Sequence, residues 1–314
     1  MSKSDTQGRA YEYACLMALA DGISQYRDVT MIENNPLAHA RDCYFTIDPG
    51  VQELYDISAS AMIDKLFDCE PMIIESASDS VELLIQDDGK GEQGDVRDIL
   101  IIRAERQWEI GLSVKHNHFA VKHSRLSASI DFGNKWFGVP CSDQYWNDIE
   151  PIFDRLREDK RQDKIWNEMP DKFDNVYEPL LQAFIDEIDR AYAVTPDLPE
   201  RMVEYLLGEF DFYKVISIDK KHITAIETFN LRGTLNQAAD VVPRYEIPIA
   251  ELPTRIIDLG FKPGTQHIVE IYLDNGWAFS FRIHNASTKV EPSLKFDIQM
   301  ISVPIAIMTI NCVW

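Results

Sequence analysis

The sequence predicts an α/β protein: a mixed sheet flanked by helices, with a helical middle segment and a β-rich C-terminal region. Three observations point that way. Residues 8–26 and 51–68 carry apolar side chains at helical spacing, and short strand-like runs follow between 81 and 115. From 142 to about 208 the chain is highly charged and helical in pattern. After about residue 212 the pattern becomes β, with Gly, Pro, Asn and Asp punctuating the runs.

The elements follow in order. GRAYEYACLMALADGISQY (8–26) and VQELYDISASAMIDKLFD (51–68) read as helices. VELLIQD (81–87), DILIIR (98–103) and WEIGLSVK (108–115) read as strands, the last two joined through AERQ, a polar tip of hairpin length. In WEIGLSVK, Ile110, Leu112 and Val114 alternate with Glu109, Gly111, Ser113 and Lys115, the pattern of a half-buried strand. HNHFAVKHSRLSAS (116–129) is basic and reads as partly helical. Three helices are expected in 142–162, 174–192 and 197–208, the last opening with Asp197 and Pro199 and closing at Gly208. YKVISI, HITAIETF, YEIPI, HIVEIYL, WAFSFRI and KFDIQMI are the strands of the C-terminal third. The expected division is a core over 1–165 that carries the hairpin, and a helical connector with a β-rich region over 166–314.

Composition excludes several classes. With 45% hydrophobic and 26% charged residues, the chain is neither disordered nor fibrous. No apolar run is long enough for a membrane span, and MSKSDTQGRAYEY lacks the apolar segment of a secretory signal. Cys15, Cys43, Cys69, Cys141 and Cys312 are odd in number and form no CxxC, so reduced thiols and a cytoplasmic setting are expected rather than disulfides or zinc. The net charge of −21 argues against a nucleic-acid partner. Its distribution softens that: residues 142–215 hold 9 basic and 19 acidic residues (−10), whereas 216–314 hold 9 and 10 (−1).

The hairpin is the first candidate for chemistry. If 98–103 and 108–115 pair about residue 105, opposed residue numbers sum to 211–213, which sets Asp98 beside Ser113 or Lys115. A carboxylate and an ammonium at the open end of a hairpin suit metal-assisted phosphodiester hydrolysis, but the same pair is also an ordinary cross-strand ion pair. Glu109 lies roughly 20 Å from Lys115 along an extended strand, so it is expected to be solvated or paired with Arg103. A second carboxylate would come from Asp95, from Glu12 in the first helix or, more weakly, from Glu82. His116, His118 and His123, with Lys122 and Arg125, form either a phosphate-facing patch or a solvated face.

Asp98 followed by Ser113-Val114-Lys115 resembles the PD-(D/E)XK nucleases, in which a carboxylate opens one strand and an acid-x-Lys motif ends the next. Longer stretches, GRAYEYACLMAL, GDVRDILIIR, WEIGLSVKHNHFAVKHSRLSASIDFGNKWFG, EFDFYKVIS and GWAFSFRIHNASTKVEPSLKFDIQ, resemble the HaeIII/NgoPII type of type II restriction endonuclease. The resemblance implies Mg²⁺-dependent cleavage of double-stranded DNA at GGCC and a cognate modification methyltransferase as system partner; a palindromic target favours a homodimer, with a monomer nicking the strands in sequence as the alternative. Ser113 departs from the pattern by replacing an acid. Gly8-Arg9-Ala10-Tyr11-Glu12 matches the G-x-x-x-E setting from which such nucleases take an additional glutamate.

The resemblance thus makes Asp98, Glu12, Ser113 and Lys115 the expected catalytic residues. Asp98 and Glu12 would be metal ligands, with Asp95 open as an alternative. Arg232, Arg282, His284, Asn285 and Lys289 are expected at the DNA, because arginine reads guanine O6 and N7 in the major groove. Two rivals stand beside this reading: a structure-selective repair or junction nuclease, and a non-enzymatic acidic protein that mimics DNA.

Overall fold

The computed structural model describes residues 3–75, 78–87, 89, 94–118, 120–237 and 239–314, and of residues 3–5, 120 and 123 the backbone alone. The chain divides into two compact units, each assembled from separated stretches. The first comprises 1–119, 208–251 and 305–314, and the second 120–207 and 252–304. The division expected near residue 165 falls inside the second unit. There Ile165 bridges Lys289, and the backbone N–H groups of Trp166 and Val290 donate to Thr288 and Lys164.

The first unit is built on a seven-stranded mixed sheet. Its strands are β1 (Val29–Met31), β2 (Val81–Ile85), β3 (Ile99–Arg103), β4 (Trp108–His116), β6 (Phe212–Ile218), β7 (Ile223–Phe229) and β12 (Thr309–Val313), in the order β1-β2-β3-β4-β6-β7-β12. The β1–β2 and β4–β6 pairs are parallel and the others antiparallel. A parallel β4–β6 pair demands a crossover, and the chain makes it by way of residues 120–207, a stretch that belongs to the second unit. Helix α1 (Lys3–Ser24) buries Tyr11, Cys15, Leu19 and Ile23 in the core that also takes Ile99, Ile101, Ile110, Leu112 and Val114.

Helix α2 (Asn35–Thr46), absent from the sequence reading, starts where Asn34 Oδ1 accepts from the Leu37 N–H and a proline occupies the first turn. The single helix expected over 51–68 is two, α3 (Pro49–Ser60) and α4 (Ile63–Cys69). The turn between them redirects the chain so that Met62, Ile63, Leu66 and Phe67 join the core. Among the described residues no helix is long and apolar enough to cross a membrane, and the five cysteines are buried and form no disulfide.

Strand β4 departs from the half-buried pattern: Ile110 to Val114 are buried on both faces. Gly111 explains how. The Arg97 side chain lies across it, so closely that a Cβ there would come within 2.1 Å of Arg97 Cδ. YEIPI (245–249) is not a strand, because side-chain amides take its backbone groups. Asn236 Nδ2 donates to Tyr245 O, and Asn230 Nδ2 donates to Ile247 O.

Glu70 ties this segment to the sheet. Tyr213 Oη donates to its Oε1 at 2.7 Å and the Asn236 N–H donates to the same oxygen, while Oε2 has no partner among the described residues. Burial pushes this carboxyl up to about 7. An unfolded glutamate titrates near ~4.3, so stability is greatest below that pH, falls as pH rises towards 7, and levels off above it at a cost of roughly 3 kcal/mol. In urea melts, wild type should therefore lose stability relative to Glu70→Gln between pH 5 and 8. A stability difference that stays flat with pH would contradict the assignment.

The second unit pairs helices with an antiparallel sheet. Its helices are α5 (Phe132–Phe137), α6 (Asp143–Arg161), α7 (Glu178–Val194) and α8 (Leu198–Leu207). The sheet order is β5-β11-β10-β9-β8, with β5 (Ala120–Leu126), β8 (Ile256–Phe261), β9 (Ile268–Leu273), β10 (Ala278–Asn285) and β11 (Leu294–Ser302). Residues 120–126 thus form a strand rather than the expected helix. Trp136 and Phe184 pack against Phe281 at ring separations of 5.8 and 5.4 Å, which fixes one face of β10 towards the helices.

Candidate active site

The β3–β4 hairpin pairs Ile99 with Leu112, Leu100 with Gly111 and Ile101 with Ile110. Opposed numbers sum to 211, which carries Asp98 to a place opposite Ser113. The turn at Ala104–Arg106, with Gln107 in the left-handed region (φ 51°), sets that register. The Asp98 N–H donates to Leu112 O at 2.7 Å, anchoring the residue just before the strand. Asp98 Oδ2 then accepts from Lys115 Nζ at 2.9 Å, from the Val114 N–H at 2.6 Å and from Ser113 Oγ at 3.3 Å.

Glu12 enters from helix α1, whose neighbouring Tyr11 is held in the core by a hydrogen bond to Ser58 Oγ. Arg9, one helical turn earlier, contacts Glu12 Oε2 at 2.6 Å. Burial pushes the Glu12 carboxyl up to about 7, and the nearby Asp98 carboxylate adds to the shift against the opposing pull of Arg9 and Lys115. Burial alone would lower the Lys115 ammonium, but Asp98 and Glu12 hold it above its ordinary value. Two acids and one lysine therefore share one electrostatic neighbourhood.

Asp95 does not join them. Both its oxygens are taken by Arg97, Nε to Oδ1 and Nη2 to Oδ2, each at 2.8 Å. Arg97 Nη1 also reaches Glu109 at 2.9 Å, and the guanidinium lies over the Phe210 ring at 4.0 Å. Glu109 is thus paired with Arg97 and not with Arg103. Glu82 is opposite Ile102, towards the other end of β3. Among the described residues no three His, Cys, Asp or Glu side chains gather as a metal cluster.

A model of the HaeIII restriction endonuclease family matches residues 8–304. The chain belongs to the HaeIII restriction endonuclease family. It is 50% identical over 320 aligned residues to the type II restriction enzyme HaeIII of Haemophilus aegyptius, an alignment covering 100% of this chain and 99% of that relative. No solved structure matches it.

The remaining residues expected at DNA in this family member are divided between the two units. In the first unit, His116 Nδ1 is 3.1 Å from Tyr55 Oη and its Nε2 is 2.8 Å from Asp219 Oδ2. Asn117, in the left-handed region, braces the same aspartate at 2.8 Å. This network holds the end of β4, and spacing could not have revealed it because Asp219 lies 103 residues away. His118 is exposed. Arg232 Nε donates to Glu209 O at 2.7 Å.

In the second unit, β5 alternation splits the basic run. Lys122 and Ser124 face Tyr205, with Lys122 Nζ 2.7 Å from Tyr205 O and 3.9 Å from its ring centre, and burial lowers this lysine to about 8. Arg125 is on the opposite face and exposed, while the His123 side chain lies outside the described residues. On β10, Phe279, Phe281 and Ile283 are buried and Ser280, Arg282 and His284 alternate with them, as the sequence predicts. Arg282 pairs with Asp297 at 2.9 Å and Lys289 with Asp163 at 2.8 Å. Asn285 Nδ2 donates to Ser287 O, which shapes the turn after β10.

Proposed function

We propose that this chain is a type II restriction endonuclease that hydrolyses double-stranded DNA at a short palindrome, GGCC by the family resemblance. The observation that carries the reading is the cluster of Asp98, Lys115 and buried Glu12, within a chain half identical to a type II restriction enzyme. The hairpin geometry supports a PD-(D/E)XK kind of site, with Ser113 at the position of the usual acid. An acidic DNA mimic has no use for a lysine held at 2.9 Å from a carboxylate between strand ends.

The donor set fits Mg²⁺. This ion is commonly bound through one or two carboxylates, with water and substrate phosphate oxygens completing its shell, so the lack of a third acid does not count against it. Glu12 and Asp98 would hold it, and Asp95, bound on both oxygens by Arg97, would not. When bound, the ion would supply Lewis-acid stabilisation of charge on the scissile phosphate. Lys115 orients the attacking water, while Ser113 Oγ and the Val114 N–H fix the Asp98 rotamer. Water attack in line then expels the 3′-oxygen and leaves a 5′-phosphate.

The division of labour we propose is cleavage by the first unit and base reading by the open face of β10 in the second, Arg282 foremost. A palindromic target favours a homodimer in which each copy cuts one strand, beside a cognate methyltransferase in a cytoplasmic setting. The test is a digest of a sequenced plasmid with and without Mg²⁺. Discrete fragments ending at GGCC, abolished by EDTA and restored by Mg²⁺, are expected. Intact DNA with folded protein across a range of salt and divalent ions would overturn the reading.

A further inference from the structure

The open face of the second unit's sheet holds three basic residues in one cross-strand row. Arg125 of β5 is the register partner of Lys295 of β11, and Lys295 is the partner of His284 of β10. Partners across antiparallel strands project to the same face, about 4.5–5.5 Å apart at Cβ. That face is the one turned away from the aromatic core, because Leu126, Phe296 and Ile283, their chain neighbours, are buried.

Like charges directly opposite one another destabilise a sheet, and sheets usually relieve this with a carboxylate. Elsewhere in this unit the basic side chains do so: Arg282 with Asp297, Lys262 with Glu270, Lys289 with Asp163. In the row, Lys295 makes no ion pair among the described residues. Among the described residues Arg125 hydrogen-bonds the Ser293 hydroxyl at 3.2 Å, and His284 Nδ1 donates to Asn285 O at 3.0 Å. A row with no ion pair among the described residues is unexpected in a chain with 52 acidic and 31 basic residues.

From this we infer that Arg125, Lys295 and His284 form a seat for the DNA phosphate backbone, with Lys295, which the sequence reading passed over, at its centre. The inference rests on the restriction reading for its ligand. The row spans about 10 Å across three strands, room for neighbouring phosphates of one DNA strand. Phosphate contacts position the duplex without reading it. The row would therefore supply affinity and its salt dependence, leaving base choice to other side chains.

The experiment is duplex binding, followed by fluorescence anisotropy without divalent ion, on a GGCC-containing and a scrambled oligonucleotide from 50 to 200 mM KCl. The proteins are wild type, Lys295→Gln, Arg125→Gln and the double variant. Each single variant should weaken binding to both duplexes by the same factor and flatten the slope of log K against log salt by about 0.9, with the double variant losing about twice that. Lys295→Arg should restore the slope. An unchanged slope in both single variants would overturn the seat. So would a loss confined to the GGCC duplex, which would make these residues base readers instead. A plasmid digest with wild type runs alongside. Discrete cleavage with an unchanged slope in the variants removes this inference alone, whereas a flattened slope without site-specific cleavage keeps the seat and removes the restriction reading.

Discussion

Replacing Lys115 by alanine should lower the rate of plasmid cleavage by about 10²–10⁴-fold, the range a positioned proton-transfer group contributes. The lysine holds Asp98 Oδ2 at 2.9 Å in the neighbourhood of Glu12, so its loss leaves two carboxylates without their shared cation and, in the mechanism we propose, removes the group that orients the water. Stability should barely change. Both partners of the Lys115–Asp98 pair are partly exposed, at 28% and 21%, and such pairs are worth about 1 kcal/mol or less. A single-turnover digest with saturating enzyme, beside a urea melt, separates the two effects. Activity within threefold of wild type would remove Lys115 from the chemistry, and a collapsed melt would reassign it to the fold.

Arg103→Met should do the opposite, destabilising the first unit by roughly 3–5 kcal/mol, the cost of removing one partner from a buried charge network. Arg103 is fully buried. Its Nε and Nη2 reach the two oxygens of Asp79 at 2.7 and 2.6 Å, and its Nη1 reaches Glu75 at 2.6 Å and Met72 O at 2.7 Å. Arg27 also contacts Asp79 Oδ1, at 3.2 Å, and donates to Glu75 O. Arg103 is the main reason the Asp79 carboxyl sits at about 2. Without it, the buried Glu75 carboxylate loses its arginine and Asp79 keeps only Arg27 among the described residues. Urea melts read the loss, and neutralising the acids in the Arg103→Met, Asp79→Asn, Glu75→Gln triple variant should recover part of it. A midpoint unmoved by Arg103→Met would show that the network contributes no net stability.

The two arginines of the hairpin show where sequence reasoning reached and where it stopped. Strand periodicity placed β3 and β4, and the length of the tip set their register closely enough to bring Asp98 to Ser113 and Lys115. These are local matters, governed by a period of two and a short turn. Which arginine met Glu109 was not local. Arg103, the expected partner, turned into the core towards Glu75 and Asp79, while Arg97 folded over Gly111 to take both Asp95 and Glu109. A single missing Cβ allowed that approach.

By itself, then, the sequence determined the mixed α/β character, the hairpin with its acid and lysine, the two faces of β10 and, through long family-specific stretches, the family. Each rests on neighbours a few residues apart or on a pattern read along the chain. The tertiary structure alone decided that Arg97 takes both oxygens of Asp95, which leaves the reserve acid of the sequence reading apart from Asp98 and Lys115. It also turned Lys122 into the helix-packed face of β5, and it completed the first sheet with strands from beyond residue 207. Those outcomes depend on which distant side chains compete for the same carboxylate or the same apolar surface. Such competition is settled only when the whole chain has packed.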